Sequence, residues 1–185
     1  MPEPLSGQDA AQASGGPDPA ALAARGRIRP ILLHPDPALR RLCDPVGRLG
    51  WDQVSQLAAD LLATMYDAGG RGLAAPQIGE GWRIFVMDHG WKEGAPLPRV
   101  VMDPEIAPLG GEVATMEEAC LSIPGRPMAV TRPVTISMRC FDMSGALQLL
   151  TLSGIEARIA QHEADHLDGR LILDVLDGGE EFAAR

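Results

Sequence analysis

Ser153-Gly-Ile-Glu-Ala-Arg-Ile-Ala-Gln-His-Glu-Ala-Asp-His-Leu-Asp-Gly169 is the stretch whose reading decides how the rest of the chain is understood. Ser153 followed three residues later by Glu156 forms a capping-box pattern, which marks a helix N-terminus. Gly169 suits the position just past the helix end. Ile155, Ile159, His162 and His166 step by four, three and four residues, so both imidazoles continue a face expected to be buried. Two histidines one turn apart can reach a single metal ion at roughly 2.0 to 2.1 Å. Glu163, beside the first, can take a proton from an attacking water and return it to a leaving amine. The plain alternative is a helix whose histidines are satisfied core residues and whose acids are solvated.

A metal site needs a third protein ligand. Metzincins place it six residues after the second histidine, where this chain has Ile172. A glutamate at the thermolysin-like distance would fall past Arg185, and Glu180 and Glu181 sit in an acidic, glycine-containing tail. The ligand is therefore expected upstream. Cys120 is the best candidate, within Glu118-Ala-Cys-Leu-Ser122 in a non-periodic stretch between Gly110-Gly111 and Pro124-Gly125. A lone free cysteine is more often a small buried hydrophobe, but beside two imidazoles it makes a mixed S/N site suited to zinc or ferrous iron. With a different third ligand, the same helix would serve an endopeptidase.

Working outward, Val54, Leu57, Leu61, Leu62 and Met65 recur at helical spacing from Trp51 to Ala68, with Asp52 as the expected N-cap and Gly69-Gly70 as the stop. Strands are expected at Arg83 to Asp88, Val100 to Met102, Val134 to Cys140 and Leu147 to Leu152, with a turn at Asp142-Met-Ser-Gly145. Hairpins plus two helices, with no internal repeat, indicate an α+β domain. Residues 1–27 are rich in Ala, Gly, Pro, Ser, Gln and Asp without an apolar period, and are expected to form a flexible extension. A domain over 28–177 and a short acidic tail over 178–185 complete the division.

The chain has 185 residues, 45% hydrophobic and 22% charged, enough for one ordinary globular core. Its formal net charge of -9 argues against a broad phosphate-binding surface, so no stable nucleic-acid binding is expected. Cys43, Cys120 and Cys140 are too few and too far apart for a disulfide framework. No apolar run approaches membrane-spanning length, and Glu3, Asp9 and Asp18 disfavour a secretory signal. A cytoplasmic protein that does not meet the membrane is expected.

Gly70-Arg-Gly-Leu-Ala-Ala-Pro-Gln77, Glu118-Ala-Cys-Leu-Ser122 and Gln161-His-Glu-Ala-Asp-His-Leu-Asp-Gly169 resemble, in this order, the three motifs of peptide deformylases, and the likeness runs from about Ile31 to Val175. It implies antiparallel sheets packed around a central C-terminal helix that carries the two histidines, with a second helix nearer the N-terminus. It makes Cys120, His162 and His166 the ligands of one divalent ion, Fe2+ by family expectation, with Zn2+, Ni2+ or Co2+ able to occupy similar sites. Glu163 would be the acid/base, while the Gln77 amide and the Leu121 backbone N–H would face the developing oxyanion. Gly70, Arg71 and Gly72 would border an extended peptide. Arg126 and Arg132 are the nearest cations after Cys120; Arg132 is taken to meet a peptide carbonyl or carboxylate, with a solvated or structural role as the alternative for either. The implied reaction is removal of formate from the N-formylmethionine of nascent peptides, with ribosome contact at most transient because the tail is acidic. Two departures stand out: Ala119 where glycine is usual before the metal cysteine, and Arg71 where an aliphatic residue is common. They raise the alternative of a deformylase-like metal-binding protein with reduced or altered activity on other N-blocked peptides.

Overall fold

The computed structural model describes residues 17–175. Its elements run α1 (Pro19–Ala23), α2 (Trp51–Asp67), β1 (Gly72–Ala74), β2 (Ile84–Met87), β3 (Arg99–Pro108), β4 (Val113–Cys120), β5 (Ile123–Pro133), β6 (Thr135–Phe141), β7 (Leu147–Ser153), α3 (Gly154–Leu167) and α4 (Ile172–Val175), with 3-10 turns between them. Five strands form an antiparallel sheet in the order β1-β2-β3-β6-β7, and β4 pairs with β5 in a separate two-stranded sheet.

The larger sheet is covered on both faces. Alternate side chains of a strand point to opposite sides, so Ile84 and Val86 of β2 enter a core with Leu61, Leu62 and Met65 of α2. Phe85 and Met87 enter a second core with Ala157, Ile159 and Ala160 of α3. All four β2 residues are buried, which explains an apolar run with no alternation. A third cluster joins Cys120, Ile123 and Val130 of the hairpin to Leu171 and Ile172. This is the α+β architecture expected, with α3 between the two sheets' contributions to the core. Among the described residues no helix is long and apolar enough to cross a membrane.

Several local expectations change. Helix α2 is capped by Gly50 rather than Asp52, with the Gln53 side chain accepting the Gly50 N–H at 3.0 Å. Ser153 occupies the N-cap position of α3 without a side-chain capping bond, and Glu156 takes the Arg99 guanidinium at 3.1 Å instead of closing a capping box. The strands β4 and β5 occupy the stretch read as non-periodic. Their outer face is solvated while Glu118, Arg132 and Cys120 point inward, so polar residues inside hide the alternation. Residues 17–27, expected to belong to a flexible extension, are held against the domain: Asp18 caps α1, Leu22 is 1% exposed against α2, and the Arg27 N–H bonds Asp60 Oδ1 at 2.9 Å. One leucine and a few backbone bonds suffice to hold residues 17–27, which needs no periodic pattern. Residues 1–16 and the acidic tail from 176 onward lie outside the described residues.

Candidate metal centre and active site

Helix α3 presents His162 and His166 on its inward face, their ring centroids 5.1 Å apart. Strand β4 delivers the sulfur. The β4–β5 register shifts between Glu118 and Cys120, and both of these side chains point inward while Ala119 faces out into the cavity beside the site. Cys120 Sγ lies 3.3 Å from His166 Nε2. One donor atom from each of Cys120, His162 and His166 lies within 4.8 Å of the other two.

Behind His162 stands a carboxylate. Glu118 Oε2 is 3.0 Å from His162 Nδ1, which directs Nε2 toward the sulfur. Glu118 in turn accepts from Arg132 Nε at 2.7 Å and Nη2 at 3.0 Å, and from Arg158 Nη1 at 2.7 Å. Burial would raise the Glu118 carboxyl, but the bonds from His162 and Arg132 outweigh it and hold the group at about 2. His166 has no such backing carboxylate, and its Nδ1 is buried without a partner among the described residues. Burial and the neighbouring His162 charge push the His166 imidazole well below its ordinary range. In His162, burial works in the same direction, but the bonds to Cys120 and Glu118 and the Glu163 charge overcome it, to about 10.

Glu163 is 4% exposed, and burial raises its carboxyl to about 7, the range in which a group can both take and return a proton. Its Oε2 has no hydrogen-bond partner among the described residues, a deficit that a proton donor at the centre would remove. Strand β1 passes directly over it: a Cβ at Gly72 would lie 2.3 Å from Glu163 Oε1. At Gly70 a Cβ would meet Leu121 Cδ1 at 2.9 Å. Both glycines are demanded by close approach, not by a left-handed backbone. In the 3-10 turn Ala75–Ile78, Gln77 Oε1 accepts the Ala74 N–H at 2.9 Å, so the amide nitrogen faces Ser122 Oγ at 3.2 Å and Cys120 Sγ at 3.8 Å.

A cavity of about 590 Å³ opens over these groups, lined by Gly70, Arg71, Gly72, Gln77, Leu121 and Glu163 among others. The expected site residues therefore converge, with one exception. Arg132 is 1% exposed and spends its guanidinium on Glu118 and, through Nη1, on Asp165 at 2.8 Å. It does not line the cavity, so its burial and ion pairs favour the structural role over the expected peptide contact. A basic residue after the cysteine motif reads equally well as a surface cation, and nothing local reveals the two acids that surround it. Arg71 does reach the cavity rim, held there by Glu93 and by the His89 carbonyl. Ile155, expected inside, is 43% exposed and lines the cavity instead of the core.

Ala119 carries no backbone strain. Asp103 is the sole described non-glycine residue with positive φ, so the added methyl sits in an ordinary extended conformation. Sequence reasoning gave no role to Glu118, Ser122, Arg158 or Asp165. Glu118 and Ser122 lay inside the quoted cysteine motif and Asp165 inside the quoted histidine motif, which was the available signal; Arg158 had none.

A thiolate, two helix-borne imidazoles and a buried carboxylate on a cavity wall are the equipment of a metal-dependent hydrolase. The donor set suits a divalent zinc-type or ferrous ion. The family model described as Polypeptide deformylase matches residues 28–181. The chain is 43% identical over 147 residues to a peptide deformylase of Mesorhizobium japonicum, covering 80% of this chain and 83% of the relative. It is 46% identical over 149 residues to one from Alkalilimnicola ehrlichii, covering 80% and 82%. A peptide deformylase from Synechococcus elongatus, solved in complex with actinonin, superposes with a TM-score of 0.76 at 35% identity, covering 84% of this chain and 85% of that one. The chain belongs to the polypeptide deformylase family.

Proposed function

We propose that this peptide deformylase removes the formyl group from N-formylmethionine at the start of nascent polypeptides, releasing formate and a free amino terminus. The observation that carries the reading is the convergence of Cys120, His162 and His166, with donor atoms within 4.8 Å, beside the buried Glu163. Those three residues would hold one divalent ion, Fe2+ foremost, which when bound supplies Lewis-acid charge for the carbonyl under attack.

The remaining work falls to the chain's own residues. The Gln77 amide, aligned by the Ala74 N–H, and the Leu121 backbone N–H donate to the formyl oxygen as negative charge develops there. Glu163 accepts the proton of the attacking water and passes it to the departing amine nitrogen. Glu118 keeps His162 in one tautomer and one orientation. The Gly70–Gly72 segment offers a closely approachable edge along which an extended peptide can lie. Residues 28–177 form the catalytic unit in this reading, acting in the cytoplasm on chains met by diffusion or brief ribosome contact.

The backbone at Ala119 favours a working centre over an impaired one. The test is formate release from formyl-Met-Ala-Ser by anaerobically prepared, iron-loaded protein. Turnover far above that of Glu163→Ala is expected; release no faster than that variant would end the proposal.

A further inference from the structure

Beyond the reacting groups, the cavity continues along α3 toward the helix N-terminus, where Ile155, Arg158 and Ile159 form its wall. Arg158 precedes His162 by four residues, one turn or about 6 Å along the axis, on the same side of the helix. Whatever group hangs from the carbon next to the reacting amide and points along α3 therefore passes Ile159 and meets Arg158.

Arg158 is 6% exposed and three of its five N–H donors are engaged. Nη1 donates to Glu118 Oε1 at 2.7 Å and to the Val130 carbonyl at 2.9 Å, and Nη2 donates to the Ala114 carbonyl at 2.6 Å. The guanidinium is thus pinned on three sides by both strands of the hairpin. Its Nε–H has no acceptor among the described residues and is not sealed off as a buried orphan. A rigid cationic donor on the cavity wall, set between the aliphatic side chains of Ile155 and Ile159, discriminates by hydrogen bonding more sharply than an aliphatic wall can.

We propose that Arg158 is a specificity-determining residue that makes this branch favour first side chains bearing a hydrogen-bond acceptor, methionine sulfoxide above all, over hydrocarbon chains of the same length. The inference rests on the deformylase reading for the orientation of the peptide. A sulfoxide oxygen is a strong acceptor where a methylene is none. A thioether sulfur lies between them. The chain would then deformylate peptides whose initiator methionine has been oxidised, a side chain that a purely apolar pocket rejects.

Binding tests this separately from turnover. In metal-loaded Glu163→Ala, calorimetric titration compares formyl-methionine-sulfoxide-Ala-Ser with formyl-norleucine-Ala-Ser. At least tenfold tighter binding of the sulfoxide peptide is expected, falling to below onefold when Arg158→Leu is added. A role confined to holding Glu118 would weaken both peptides equally and leave the ratio unmoved. Equal binding, tighter norleucine binding, or no binding of either peptide in Glu163→Ala overturns the proposal without any need for the Arg158 variant. So does an unchanged ratio in a folded double variant. Formate release from formyl-Met-Ala-Ser by the unmodified protein judges the deformylase reading separately.

Discussion

Replacing Arg132 with methionine, a side chain of similar reach, removes a guanidinium from the buried charge cluster it forms with Glu118, Asp165 and Arg158. The side chain is 1% exposed and makes three short bonds, two to Glu118 and one to Asp165. After the change Glu118 still has Arg158 and His162, but Asp165 keeps only Arg170, whose nearest nitrogen is 3.8 Å away and whose side chain is 36% exposed. Breaking a buried pair by deleting one partner costs about 3 to 5 kcal/mol, because a charge is left uncompensated in a poorly solvated place. For a domain of this size each kcal/mol moves the melting temperature by about 2 to 4 °C, so a fall of roughly 6 to 20 °C is expected. The assay is urea and thermal unfolding of metal-loaded Arg132→Met, with KM for formyl-Met-Ala-Ser measured in parallel. Since Arg132 does not reach the cavity, KM should change less than threefold in whatever fraction remains folded. A stability loss under 1 kcal/mol, together with a large rise in KM, would refute the reasoning and return Arg132 to the substrate contact that its sequence position suggested.

Gly72→Ala drives a methyl to 2.3 Å from Glu163 Oε1, so the carboxylate must move; kcat should fall about 100-fold, read by steady-state formate release, with far-UV circular dichroism unchanged. The Glu118 carboxyl titrates at about 2 in the folded protein against 4.5 ordinarily, so its stabilisation is complete above 4.5 and drains away as pH falls toward 2. Urea midpoints between pH 6 and pH 3 should therefore drop less steeply in Glu118→Gln than in the unmodified protein. Burial pushes the Cys43 and Cys140 thiols up to about 11, so neither should be alkylated by iodoacetamide at pH 8 in the native state. Peptide mass spectrometry checks this, and modification of either before unfolding would contradict the packing around them.

Apolar periodicity was sufficient for α2 and β6, whose buried faces carry ordinary hydrophobic residues, while β2 was read from an unbroken apolar run and α3 from its end signals and the spacing of Ile155, Ile159, His162 and His166. It failed at β4 and β5, whose inward positions hold Glu118, Cys120 and Arg132; a polar interior reads as a loop. The metal donors were legible because two lie on one helix at fixed spacing and the third sits in a short motif. Glu118, Asp165, Arg132 and Arg158 form one charge cluster, yet span positions 118 to 165 in the chain, and only the tertiary fold could join them. For the same reason the sequence alone left Arg132 between a peptide contact and a solvated or structural role. Gly70 and Gly72 were marked as special, but the side chains they make room for were not visible.

Cys120 belongs to the small sheet, whereas His162 and His166 belong to the helix against the large one, and their coupling has a mechanical side. An ion held by all three would work as a rivet through two halves of the molecule, added to the packing, the buried ion cluster and the hydrogen bonds from Gln77, Arg158 and Gln161 that already join them. Loading and folding then become a single equilibrium: free ion at about a thousand times its dissociation constant adds about 4 kcal/mol to the folded state. Chelation should accordingly loosen the β4–β5 hairpin before it disturbs β2, β3 or α2, and amide exchange along β5 would register that loss first.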